Sequence, residues 1–116
     1  MRKQPLVLSL VVLILALAAV ALAADAKAPQ KFTGWISDDM CGLDHGDMAK
    51  KEGGEKACTL KCVDMGSEFV LADREHKKVY KLDDQTKPKA LAGEKVVVTG
   101  TLDGETIHVA TIQAAK

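Results

Sequence analysis

The chain has 116 residues with 16 basic and 16 acidic side chains, a formal net charge of +0. It therefore offers no basic excess to hold a polyanion, which excludes nucleic acid and anionic membrane surfaces as electrostatic partners. One Trp, one Tyr and two Phe leave few rings for stacking bases, and the length suits a single small domain.

The first five residues carry Arg2 and Lys3 and no acid, and Leu6 to Leu22 is uncharged and apolar, broken only by Ser9. Ala21-Leu22-Ala23 and Ala24-Asp25-Ala26 both fit the small-x-small pattern of a signal peptidase site. The apolar run approaches the roughly 20 residues that span a bilayer. Its Ala-rich end and the lack of a positive stop-transfer flank favour cleavage over anchoring. Residues 1–23 are read as a signal peptide, and the protein as exported, periplasmic or secreted, with no stable membrane association afterwards. Residues 24–31, containing Pro29, read as a flexible leader to a domain spanning 32–116.

Phe32 to Ser37 alternates in the strand period, with Phe32 and Ile36 on one face and Trp35 on the other. Asp38 to Gly54 is crowded with Gly and Asp and reads as a loop. Glu55 to Met65 predicts a helix closed by Gly66 in the left-handed conformation. Glu68–Asp73 and Lys78–Asp83 predict a hairpin around Arg74-Glu75-His76-Lys77. Gln85 to Gly93, with Pro88, reads as a crossing loop with one helical turn near Ala90. Glu94–Leu102 and Glu105–Gln113 predict a second hairpin joined by Asp103-Gly104, the pair favoured by a type I′ turn. Val96, Val98 and Leu102 are expected to point inward opposite Ile107 and Val109. The fold class is therefore mainly β, a small five-stranded, partly open barrel of the OB type with one helix after the first strand.

The chemistry concentrates in Cys41, His45, Cys58 and Cys62, spaced C-x3-H-x12-C-x3-C. Three readings compete. Three thiolates and an imidazole make a Cys₃His set that suits a tetrahedral zinc, and the neighbouring Met40, Met48 and Met65 suit copper(I) equally. Alternatively, export favours oxidation, and a disulfide from Cys41 to Cys58 or Cys62 would staple loop to helix and leave one thiol over. Cys58 with Cys62, four apart on one helix, is a poor pair for a bridge. In the third reading a cysteine paired with His45 is an activated nucleophile, but no C-x-x-C motif or orienting residue supports it. Non-enzymatic metal binding through all four residues is the leading reading, and the stapled binding or structural module is the other.

Gly34-Trp35-Ile36-Ser37-Asp38, Met40-Cys41-Gly42, His45, Cys58-Thr59-Leu60-Lys61-Cys62-Val63, Val79-Tyr80-Lys81-Leu82 and Val98-Thr99-Gly100-Thr101-Leu102-Asp103-Gly104 together resemble a family of small exported bacterial proteins with no assigned function. The resemblance extends over nearly all of the mature chain. It implies that the Cys/His set is a family feature and supplies no activity.

The remaining polar residues have plainer expectations. Asp38, Asp39, Asp44 and Asp47 surround Cys41 and His45 and could form an acidic shell behind the cluster or a hard-cation loop; the plainer reading, turn-forming and solvated residues, is preferred because their spacing lacks the glycine and terminal Glu of a calcium hand. His76 and His108 read as surface residues, and Trp35 as cover for a barrel end or packing beneath the helix. No Gly-rich phosphate loop or nucleophile elbow occurs, and no feature of the sequence names a protein or small-molecule partner.

Overall fold

The computed structural model describes residues 27–116; the expected signal peptide lies outside the described residues. Five strands follow in chain order: β1 (Gln30–Asp38), β2 (Phe69–Asp73), β3 (Lys78–Leu82), β4 (Lys95–Asp103) and β5 (Thr106–Ala114). Two helices, α1 (Gly46–Glu52) and α2 (Glu55–Asp64), lie between β1 and β2, and a 3-10 turn (Lys87–Leu91) lies between β3 and β4. Among the described residues no helix is long and apolar enough to cross a membrane.

The mainly β architecture with five strands is as expected. The strands hydrogen-bond in a ring ordered β1-β2-β3-β5-β4, with β4 returning to β1. The ring is uneven. β4 and β5 form a long antiparallel ladder, whereas β3 meets β5 in parallel through only Lys81↔Thr106 and Leu82↔Ile107. Gln85 works as a side-chain splint at this end. Its Oε1 accepts the Phe69 N–H at 2.7 Å, and its Nε2 donates to the carbonyls of Phe69 at 2.9 Å and Leu82 at 3.0 Å.

β1 serves two neighbours. Gln30–Trp35 pair with β4 and Trp35–Asp38 pair with β2, so Trp35 is the switch point of the strand. Gln30 and Lys31, expected in the leader, therefore belong to β1. Ile36, Phe69, Leu71, Leu82, Val96, Val98 and Ile107 fill the ring, with Leu60 and Val63 of α2 packing against them. Each such side chain contributes about 1.5–3 kcal/mol when fully buried. The inward set on β5 changes parity at a bulge: Thr99 pairs with Thr111 but Gly100 with Val109, which leaves Ala110 as the extra residue.

The second hairpin forms one residue later than the sequence suggested. Asp103 pairs with Thr106, so the two loop residues are Gly104 and Glu105. Of these only Gly104 has positive φ, at 60°, which is the φ pattern of a type II′ turn and not the expected type I′.

The largest departure is α1, in a stretch read as loop. Asp and Gly punctuate its surroundings, but Met48-Ala49-Lys50-Lys51-Glu52 are good helix formers. Asp47 lies in the first turn and Lys50 and Lys51 in the last, each sign complementing the helix dipole. The expected single helix is thus a pair, with Ala49 of α1 buried against the cysteines of α2.

Candidate metal centre

Three short elements converge on the cysteines. Cys41 follows the end of β1. Cys58 and Cys62 lie one turn apart on α2, so their side chains share a face, and both are buried with Thr59 between them. The C-terminus of α2 is fixed by a Schellman closure: Ser67 N–H donates to the Cys62 carbonyl and Gly66 N–H to the Val63 carbonyl, both at 3.0 Å. Gly66 takes φ 111° there, as its place in the sequence predicts. At the other end of α2, Gly93 runs close beneath the first turn, where a Cβ would lie 2.6 Å from the Lys56 backbone nitrogen. Only glycine lets the chain pass and the helix seat.

The ligating atoms of Cys41, Cys58 and Cys62 all lie within 4.8 Å of one another, and so, as a second group, do those of Asp38, Cys41 and His45. Cys41 belongs to both. The four expected donors therefore appear as two overlapping groups, with His45 grouped with Cys41 but not with Cys58 and Cys62. All three cysteines are free, so neither disulfide considered from the sequence, Cys41 with Cys58 or with Cys62, is formed.

Asp38 overturns the solvated reading preferred for the loop acids and fits the alternative of an acidic group behind the cluster. It is fully buried, at the inward end of the alternation Phe32, Gly34, Ile36. Its Oδ1 lies 2.9 Å from His45 Nε2, and its Oδ2 accepts the Cys41 backbone N–H at 2.9 Å. Thr59 Oγ1 of α2 lies 3.0 Å from the same His45 nitrogen, so one imidazole joins strand, loop and helix. His45 is 4% exposed, and its Nδ1 is buried with no hydrogen-bond partner. With Nε2–H donated to Asp38, Nδ1 carries a lone pair, the arrangement by which carboxylates orient metal-binding histidines. Continuing the period-2 count of β1 by one residue would have flagged Asp38; its clustering with other Asp residues hid it.

The other acids of the loop behave as expected of turn formers. Asp39 Oδ1 accepts from Glu68 N–H at 3.2 Å, Asp44 Oδ1 accepts from Gly46 N–H at 2.8 Å, and Asp47 pairs with Lys50 in solvent. His76 and His108 are exposed and paired with Asp73 and Asp83. The Trp35 ring lies under Arg74, whose guanidinium carbon is 4.6 Å from its centroid, with Lys95 at 5.0 Å. Arg74 also donates to the Leu43 carbonyl at 3.0 Å and to Glu55 at 2.7 Å. It thereby ties the β2–β3 turn to the cysteine loop and to α2.

Burial, followed by the negative charge of Asp38 and the two neighbouring sulfurs, pushes the Cys41 thiol up to about 12. Burial and Asp38 likewise raise Cys62. Asp38 supplies the orienting residue for His45 that the sequence did not reveal, but a nucleophilic cysteine needs the opposite shift, so the raised Cys41 thiol argues against the activated-thiolate reading. A cation bound among these sulfurs would reverse the balance, since metal binding displaces thiol protons.

A pH dependence follows. In the reduced, metal-free protein the folded state keeps thiol protons that the unfolded chain sheds above the ordinary value of 9.0. The thiols should therefore make stability fall as pH rises beyond 9.0. Thermal melts of the chelator-treated, reduced chain on either side of that pH test this, and a melting temperature unchanged into the alkaline range would contradict it.

A family model described as a protein of unknown function (DUF5818) matches residues 63–115. That range holds the end of α2 and strands β2 to β5. The resemblance expected over nearly the whole mature chain is thus supported for its second half, and Cys41, His45, Cys58 and Cys62 precede the matched residues. No curated protein and no solved structure matches the chain.

Proposed function

We propose that this protein is an exported soft-metal-binding protein, taking zinc or copper through Cys41, Cys58 and Cys62. The observation that carries the reading is the grouping of three free sulfurs within 4.8 Å of one another on elements the rest of the fold holds in place. Soft thiolates select soft or borderline cations. Asp38 supports the site by holding the Cys41 N–H, and His45 in turn holds Asp38. The domain serves as scaffold, a five-stranded ring carrying a two-helix insertion between β1 and β2.

The test is a parallel count of metal and thiols on the full chain purified without chelator. The reading expects one metal ion per chain, with all three cysteines titrating as thiols after denaturation with chelator. No metal, together with a single reactive thiol, would contradict it and establish the disulfide-stapled module instead.

A further inference from the structure

The ligating atoms of Asp38, Cys41 and His45 lie within 4.8 Å of one another, and Cys41 belongs to the sulfur group as well. The two groups therefore meet at one sulfur. In the second of them His45 Nε2 lies 2.9 Å from Asp38 Oδ1, with a proton between them. Asp38 Oδ2 is taken by the Cys41 N–H, so Oδ1 is the oxygen free to change partner. His45 Nδ1 is buried and has no hydrogen-bond partner in either tautomer. A cation can therefore replace the proton on Nε2, sending it to Nδ1, without stranding a ring nitrogen that was paired before. Thr59 Oγ1, 3.0 Å from Nε2, then offers the ion a neutral oxygen.

Charge favours a second ion. Three thiolates and the Asp38 carboxylate carry four negative charges, and Asp38, Cys58 and Cys62 are 0%, 1% and 2% exposed. Among the described residues the ion-pair partner of Asp38 is His45, which is neutral when it ligates a metal. One divalent ion on the sulfurs leaves two of those charges uncompensated, and a buried charge without a partner is costly. A second divalent ion brings the sum to zero. Thiolate, imidazole and carboxylate together are a set that zinc takes. Of the three cysteines only Cys41 is not buried, so the shared ligand is also the one that solvent reaches.

We propose that the protein takes a second divalent cation, zinc, between Asp38, Cys41 and His45, with the Cys41 thiolate bridging it to the ion on the three sulfurs. This rests on the soft-metal reading above and adds an ion to it. The sulfur site fills first, because three thiolates serve it. The second fills later and more weakly, since its one thiolate is shared and its imidazole is neutral. The chain therefore retains one ion on purification and takes up the other as free zinc rises.

The test uses the full chain, reduced, anaerobic and freed of metal by chelator. Zinc(II) is titrated in competition with a chromogenic zinc chelator and copper(I) in parallel, for wild type and for Asp38→Asn. Wild type is expected to take two zinc ions, the second at least about tenfold more weakly than the first. Asp38→Asn should keep the first within about threefold, because its amide oxygen still holds Cys41, and weaken the second by more than the roughly 10–100-fold that outer-shell changes cost. Cobalt(II) in place of zinc tests the bridge on wild type alone. Two ions sharing a thiolate couple magnetically, so the second equivalent should diminish the paramagnetic resonance signal and not double it. A single zinc ion, or copper(I) binding without zinc, would overturn the second site and leave the soft-metal reading standing; no binding of either metal would overturn both. A second zinc ion held as tightly by folded Asp38→Asn would overturn the assignment to Asp38, and a doubled cobalt signal would overturn the bridge.

Discussion

Cys58→Ser is expected to lower metal affinity by more than the roughly 10–100-fold that changes to outer-shell partners cost, with the fold retained. Cys58 is 1% exposed and its sulfur lies within 4.8 Å of those of Cys41 and Cys62. A serine hydroxyl fits the space and can make the same contacts, at a cost of about 1 kcal/mol. It cannot supply soft sulfur. Competition titration gives the affinity and a thermal melt controls for the fold. Were the native state a Cys41–Cys58 bridge, the variant would instead gain a free thiol and lose roughly 2–4 kcal/mol of stability. Unchanged metal affinity in a folded variant would remove the sulfur trio from consideration.

Asp38→Ala should combine two losses. It strips the acceptor from the Cys41 N–H and from His45 Nε2, both held at 2.9 Å. Thr59 Oγ1 at 3.0 Å still partners His45 Nε2, so the unsatisfied group is the Cys41 N–H and a loss of about 1–3 kcal/mol is expected in denaturant unfolding. Freed from its anchor, Cys41 should also leave the other sulfurs, weakening metal binding by about 10–100-fold. Asp38→Asn separates the effects. Its amide oxygen can still accept from Cys41, and its amide nitrogen can donate to His45 Nε2 if the ring proton moves to Nδ1. The Asn variant should therefore recover most of the stability and bind metal within about threefold of wild type, since Cys41 is held again. An Asn variant as weak in metal binding as the Ala variant would show that Asp38 acts through its charge and not by holding Cys41.

The parts of this fold that were legible in the sequence are those where one physical rule acts alone. Phe69-Val70-Leu71 and Val96-Val97-Val98 announce strands because β-branched and aromatic residues fit a pleated, buried surface. Gly66 announces the end of α2 because no other residue takes its backbone angle at so little cost. Reading failed where two rules compete. Around α1 the turn chemistry of Asp44 and Gly46 masked the helix propensity of the five residues that follow. At Asp38, a residue type that is almost never fully buried unpaired sits at an inward strand position because His45 and the Cys41 amide compensate it, and neither partner is evident from local sequence. The gathering of the cysteines was legible as a spacing. The division of the donors into two groups was not, because it depends on where His45 lies between Asp38 and Thr59, and that is set by how α2 docks on β1.

Oxidation state and metal occupancy are both read by X-ray absorption at the metal edge of the loaded full chain. The account predicts a first shell dominated by sulfur at about 2.3 Å, lost in the Cys58→Ser variant. A shell of oxygen and nitrogen without sulfur would contradict it.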